Sequence, residues 1–519
     1  MDKAKQRQPR EMPSAGQTLA TAGIETRKVL ILQVLRQAIT VIGAMILFRL
    51  LAAEPFGLLG MVFPLMMLPR MVATLGVSVA AVQKTHLSSN QKTAIFWAIL
   101  LLGVLASLAT GIAGHLFAWL YNVPELVWIC WAFAATSFVE ATGLTHQTLL
   151  QREMRIGRIA MIKLIGQALA VTLAVFVGYE LEAQEQIAKY GIVALLVMEY
   201  VELLVNTIGL WLTAKWKPGP LRLGEVKGLL SFGGFYSTSS LVFYVGQNLD
   251  KILLAAMIGS TRSGRGFVGM YTAMYHLMMK PVYLVTDPVT SVMLPSLSRS
   301  SDRLRDYAAL SHGFYLFTAT LLVPAGVGLF VMAPEVVQLL GGDKWKPAEG
   351  MLIALTPAIC VHGMINISGS LLVGKGQVRR LLGVSLVLLF LQAQAYGCGY
   401  FLATQFADQL EVSREQTLAV AIAMSYSAVL LLVSVPYIVI CFRSVQLRSR
   451  GLLFQFARLF SRALLMGVAV WFIRSQMLQY DWHWILRLLV GIAAGVALYT
   501  LLAWNDIKVN VLQFMQNRE

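Results

Sequence analysis

The residues of this chain that could do chemistry are ionisable side chains set in apolar surroundings. The stretch from Gly269 to Arg299 is long and apolar enough to cross a bilayer, since about 20 residues at 1.5 Å each span the hydrocarbon. It nonetheless carries Lys280 and Asp287, each followed by a proline. A charge at a helix centre costs about 2.5–3.5 kcal/mol on insertion scales, so both side chains must face protein or water. Their spacing puts them on one helix face, about 10 Å apart along the axis and too far for direct contact. Pro281 and Pro288 each remove a backbone hydrogen bond, which predicts a kinked or locally broken helix. A broken, charged helix facing an internal cavity is one way to build a translocation path.

Other apolar stretches carry further candidates. Arg36 shares a polar stripe with Gln33, Thr40 and Gly43 in the first, and Arg70 lies at mid-depth in the second, above Thr74 and Ser78. Lys163, beside Gln167 in the fifth, is close enough to the cytoplasmic face to snorkel. The planar fork of Arg bonds phosphate bidentately and Lys acts as a point charge, so Arg36, Arg70, Lys163 and Lys280 are candidates to line a basic, anion-binding cavity. The competing reading pairs each base with a neighbouring acid or makes it a helix cap. Glu140, Glu199, Glu202 and Asp287 are the candidates for coupling or charge balance; Glu199 and Glu202 share a face with Asn206. Asp250 and Lys251 are consecutive, point about 100° apart and cannot share one face, so a structural pairing with the neighbouring lobe is expected. His146, His276 and His362 are isolated and read as satisfied core histidines, His276 excepted because it stands one turn before Lys280. The tryptophans, Trp211 and Trp216 among them, fall near segment ends and read as an interfacial belt.

The elements that must position these residues follow from composition. The chain has 519 residues, 57% hydrophobic and 13% charged, with mean hydropathy +0.68. Soluble domains carry about 25% charged residues, so this is an all-α polytopic membrane protein. The net charge of +16 lies in short loops rather than one patch, which argues against nucleic acid. Four cysteines stand singly, with no disulfide or metal spacing. No Walker A pattern, HExxH, nucleophile elbow or GxGxxG is found, so neither an enzyme nor a cofactor is expected.

About fourteen apolar segments recur from residue 28 to residue 504. Alternate loops hold the Lys and Arg residues, as in Arg152/Arg155/Arg158 and Arg443/Arg448/Arg450, which predicts both termini in the cytoplasm. The expected organisation is a cytoplasmic N-terminal tail (1–27), a six-helix N-lobe (28–215), a cytoplasmic linker (216–227), a six-helix C-lobe (228–442), and two extra helices with a short tail (443–519). Gly57 and Pro69 stand twelve residues apart, as Gly269 and Pro281 do, which hints at parallel repeats around a central cavity.

RLLAAEPFGLLGM (Arg49 to Met61), QNLDKILLAAMIG (Gln247 to Gly259), LPSLSR (Leu294 to Arg299) and VPAGVGLFVMAPEVVQLLGGDKW (Val323 to Trp345) occur in an order that resembles the Wzx-type lipid-linked oligosaccharide flippases, polysaccharide transporters of the multidrug/oligosaccharidyl-lipid/polysaccharide exporter superfamily. Two departures stand out: Ala-Ala-Glu-Pro replaces the usual Leu-Gly-Pro in the first motif, and Arg262-Ser-Gly-Arg265 is expected to lengthen the loop before the eighth helix. The resemblance implies export of a polyprenyl-diphosphate-linked oligosaccharide across the cytoplasmic (inner) membrane by a monomer, beside a polysaccharide polymerase and glycosyltransferases and in contact with membrane lipids. The alternatives are a cation-coupled multidrug exporter of the same superfamily and a non-transporting scaffold of a polysaccharide assembly complex.

Overall fold

The computed structural model describes residues 15–74, 88–153, 155–221, 234–300, 302–406, 409 and 412–513. Among the described residues six helices form the first lobe: α1 (Ala15–Leu50), α2 (Ala53–Thr74), α3 (Ser89–Tyr121), α4 (Leu126–Arg152), α5 (Ile156–Ala183) and α6 (Ile187–Ala214). The tail expected to reach residue 27 is thus helical from Ala15. Ser88 and Gln91 start α3 with a capping box, each side chain bonding the other's backbone N–H.

The second lobe holds α7 (Gly234–Ile258), α8 (Arg262–Arg299), α9 (Leu304–Gly341), a broken pair α10 (Glu349–Leu355) and α11 (Ile359–Gly374), α12 (Val378–Phe406) and α13 (Arg414–Ser444). The break between α10 and α11 has a local cause. Pro357 cannot donate to the Ile353 carbonyl, which accepts instead from the Thr356 hydroxyl at 3.0 Å. The next two carbonyls, of Ala354 and Leu355, accept from Ser427 of α13 at 2.5 and 3.1 Å. α14 (Arg450–Gln479) and α15 (Trp484–Ile507) pack on the outside of α9. Glu335 of α9 is buried and takes Arg474 Nε of α14 at 2.9 Å on both oxygens, with Arg487 Nε of α15 at 3.3 Å.

Packing repeats between the lobes. In the first, α1 packs on α5, α2 on α3 and α4, α3 on α4, α4 on α6, and α5 on α6. In the second, α7 packs on α12, α8 on α9 and α11, α9 on α11, α11 on α13, and α12 on α13. The same pattern of neighbours is thus used twice, in the same order along the chain. Among the described residues eleven segments are long and apolar enough to cross a membrane, and the longest, Leu304–Gly374, contains α9 to α11.

Two expectations for the stretch around Lys280 need correction. α8 is not among the eleven spans, because its charged and polar residues make it too polar for an ordinary lipid-facing helix. It is also unbroken from Arg262 to Arg299, running through Pro281 and Pro288. Prolines are tolerated in such helices where neighbouring helices or water receive the freed carbonyls.

α8 is also the main contact with the first lobe, through α2. The crossing is close because glycines make it. A Cβ at Gly57 would stand 1.8 Å from the Arg265 carbonyl oxygen, one at Gly269 2.3 Å from the Ala53 carbonyl oxygen, and one at Gly60 2.6 Å from Thr272 Oγ1.

Candidate functional site

Five of the ionisable residues singled out in the sequence meet in one cavity of about 280 Å3 within the first lobe. α1 supplies Arg36, α4 Glu140, α5 Lys163, and α6 Glu199 and Glu202, with Gln147, Asn206 and Thr207 completing the polar lining. Arg36 Nη2 donates to Glu202 Oε1 at 3.0 Å, and both side chains are only partly buried. Lys163 therefore lines an internal cavity, which corrects its expected reach to the membrane surface. Arg70 lies in α2; its side chain falls outside the described residues.

Lys280 and Asp287 occupy the face of α8 turned away from the lobe's core. The buried face carries Tyr271, Met274, Tyr275, Met278, Val282, Thr286, Val289 and Met293. The opposite face carries His276, Lys280, Tyr283, Leu284, Asp287 and Ser291 at i, i+4, i+7, i+8, i+11 and i+15, all exposed except half-buried Lys280. No ion pair joins Lys280 or Asp287 to another side chain among the described residues, as their axial separation predicts.

Asp250 and Lys251 overturn their expectation. Their Cβ atoms diverge, but the long lysine side chain curls back, so that Lys251 Nζ lies 3.3 Å from Asp250 Oδ1 with both residues buried. Tyr271 donates to Asp250 Oδ2 at 2.6 Å, Lys251 donates to the Gln247 carbonyl at 3.0 Å, and its ammonium sits 3.3 Å from the centre of the Tyr275 ring. The partners belong to α7 and α8, so the pairing is within their own lobe.

The histidines and tryptophans divide. His146 Nε2 stands 3.2 Å from the Trp216 carbonyl oxygen, and its ring centre is 4.1 Å from that of Trp211, with Phe96 at the edge of both tryptophans. Trp211 and Trp216 thus share an aromatic cluster with Phe96 and His146 at the end of α6. His362 Nδ1 meets Tyr426 Oη at 3.3 Å in the core, while His276 is exposed.

Sequence reasoning missed the residues that close one end of the interlobe crossing. Glu54, at the start of α2, accepts from Arg265 Nη2 at 2.6 Å and from Arg262 Nε at 2.7 Å. Arg262 and Arg265 form the first turn of α8 rather than a longer loop. The two departures from the family pattern are therefore partners, an acid in one and two bases in the other. Beside them Trp345 packs on Phe48 and Phe56, with ring centres 4.4 and 5.7 Å apart, and donates from Nε1 to the Phe48 carbonyl at 2.8 Å. Arg49 donates to the Leu339 carbonyl at the end of α9 at 2.9 Å.

The lipopolysaccharide biosynthesis protein WzxC of Escherichia coli (strain K12) is 25% identical over 345 residues, 64% of this chain and 66% of that protein. The succinoglycan biosynthesis transport protein ExoT of Rhizobium meliloti (strain 1021) is 24% identical over 462 residues, 88% of this chain and 87% of that protein. The fold is similar to that of the lipid II flippase MurJ in an inward closed conformation, with TM-score 0.66 and 10% identity over 92% of this chain and 99% of that one. A family model described as polysaccharide biosynthesis protein matches residues 46–349. The chain is thus a multi-pass membrane protein of the polysaccharide biosynthesis protein family.

Proposed function

We propose that this protein is a flippase, moving a polyprenyl-diphosphate-linked oligosaccharide from the cytoplasmic to the outer leaflet of the inner membrane for a cell-surface polysaccharide. The observation that carries this reading is the polar face of α8. It begins at His276, one turn past Thr272, which Gly60 of α2 approaches, so it continues the edge of α8 that meets the first lobe. A face with Lys280 and Asp287 at mid-helix is intolerable against lipid and suits an anionic, hydroxyl-rich head group. Lys280 serves as a point charge for the diphosphate, and Arg70, on the equivalent helix of the first lobe, as its bidentate partner. The names of WzxC and ExoT support the substrate class.

The cavity of the first lobe has a separate task. Arg36 and Lys163 are held among Glu140, Glu199 and Glu202, so these bases act through the acids, which balance charge and receive a coupling cation. The placing of Lys and Arg in alternate loops supports cytoplasmic termini. The protein works as a monomer, without enzymatic chemistry, and receives its cargo from glycosyltransferases and passes it to a polymerase.

Lys280→Met should lower flipping of the lipid-linked oligosaccharide in proteoliposomes about tenfold or more, because a hydrogen bond to a charged group contributes about 1.5–3 kcal/mol. Its melting temperature in detergent should stay at the wild-type value, since no acid is left unpaired. Full flipping by this variant would overturn the reading. Unchanged polymer export in cells would favour a scaffold, and loss of drug efflux a multidrug exporter.

A further inference from the structure

We propose that Tyr283, Asp287 and the Leu284 carbonyl of α8 form a sugar subsite beside Lys280, which reads the first pyranose ring linked to the diphosphate. This rests on the flippase reading and assigns the part of the head group that a basic residue cannot recognise.

Tyr283 and Asp287 lie one turn apart on the exposed face of α8, with Tyr283 one turn from Lys280. Tyr283 is 42% exposed, whereas Tyr271 and Tyr275 on the opposite face of the same helix are 0% and 4% exposed. The face therefore presents one phenol ring of this helix, and a flat apolar ring with a polar edge fits the C–H face of a pyranose. Around that ring the available groups are acceptors. No hydrogen bond or ion pair engages the Asp287 carboxylate or the Tyr283 hydroxyl among the described residues. Pro288 has no N–H, so the Leu284 carbonyl loses its donor within the helix while the helix continues past it. Leu284 and Pro288 are both exposed positions, so the gap in the helix hydrogen bonding falls on the same face. An unpaired carbonyl at membrane depth is costly unless something donates to it.

The other hydroxyls nearby are already committed to the helix. Ser291 donates to the Pro288 carbonyl at 2.7 Å and Thr290 to the Asp287 carbonyl at 3.1 Å. What remains is a carboxylate, a bare carbonyl and an exposed aromatic ring, next to one cation. Sugar hydroxyls are the donors that match the two acceptors, and phosphate is the anion that matches Lys280. A bare polyprenyl diphosphate would use only the second.

The test compares two probes on the full chain in nanodiscs: a polyprenyl diphosphate, and the same lipid bearing one glucosyl residue. Wild type should bind the glucosyl lipid more tightly than the bare one. Tyr283→Ala and Asp287→Asn should each lose about threefold to tenfold of affinity for the glucosyl lipid and leave the bare lipid unchanged. Tyr283→Phe should keep most of the preference, since the ring does the stacking. Lys280→Met should weaken both probes alike. If wild type binds the bare lipid and Lys280→Met abolishes this, but glucose adds nothing, the sugar subsite is wrong and the flippase reading stands. Equal losses for both probes in Tyr283→Ala would also overturn it. If neither probe binds wild type, both readings fall.

Discussion

Arg36 and Glu202 show what a side chain gains and risks inside this bundle. Their contact of 3.0 Å is half-solvated, so neutralising one partner leaves the other in a polar cavity rather than in hydrocarbon. The cost expected for Arg36→Gln or Glu202→Gln is therefore about 1–2 kcal/mol, below the 3–5 kcal/mol of a fully buried pair. The double variant Arg36→Gln/Glu202→Gln should recover most of that stability, read as melting temperature in detergent. It should not recover export if Glu202 takes the coupling cation; recovered export would reduce the pair to a structural role. At this scale the sequence was half legible. An ionisable residue in an apolar stretch announces itself, which is why Arg36, Glu140, Lys163, Glu199 and Glu202 could be named. Their partners could not, because pairing depends on which helices are neighbours: α1 meets α5 and α5 meets α6, an order no local spacing encodes. Asp250 and Lys251 failed for a different reason. Helical geometry fixes where Cβ points, whereas four methylenes let a lysine ammonium return to the residue before it.

The crossing of α2 and α8 is the clearest case in which two elements were legible separately and their relation was not. Both glycines were noticed for their spacing to a proline; their work is to let two backbones touch, with Gly57 against Arg265 and Gly269 against Ala53. Glu54 with Arg262 and Arg265 clamps the crossing at the start of both helices. Arg262 is 63% exposed at its side chain while Arg265 and Glu54 are each 14% exposed, so Arg265 carries most of the clamp. If the lobes part here during transport, as alternating access at this end requires, the clamp must break in each cycle. Glu54→Gln should then shift the resting population toward the parted state. A cysteine at Phe56, beside Trp345, should react with an impermeant thiol reagent several-fold faster in Glu54→Gln than in the wild-type background. Equal rates would mean that the clamp does not set the population. Glu335 with Arg474 and Arg487 does the opposite job, fixing α14 and α15 to α9 so that the appended pair travels with the second lobe.

On the scale of the molecule, the repeat extends to the places where polar residues stand. Glu140 and His362 lie equally far from the ends of α4 and α11, at Arg152 and Gly374. Lys163 and Ser385 lie equally far from the starts of α5 and α12, and Glu199 and Tyr426 from the starts of α6 and α13. His362, Ser385 and Tyr426 do line one pocket, as their counterparts do, but it holds only about 20 Å3, room for one water. One lobe thus keeps a charged cavity and the other a neutral, nearly closed one, so the two halves share a frame and divide the work. Such halves should assemble from separate chains, provided the cut respects where the linker is held. Trp97 Nε1 donates to the Gly219 carbonyl at 3.0 Å, Gly219 N–H donates to Thr93 Oγ1 at 3.2 Å, and the Trp216 carbonyl meets His146. The linker therefore belongs to the first lobe at least as far as Gly219, further than a Pro/Gly-rich stretch suggests. Co-expressed fragments divided after Leu221 should associate and restore export to within a few-fold of the intact chain. Division after Trp216 places Gly219 on the wrong fragment and removes the tie to α3 that closes the first lobe. That pair should export less, and its N-terminal fragment should melt at a lower temperature than the longer one. Equal export from both pairs would show that the contacts of Gly219 are dispensable, and failure of both, with each fragment stably inserted, would count against two separable lobes.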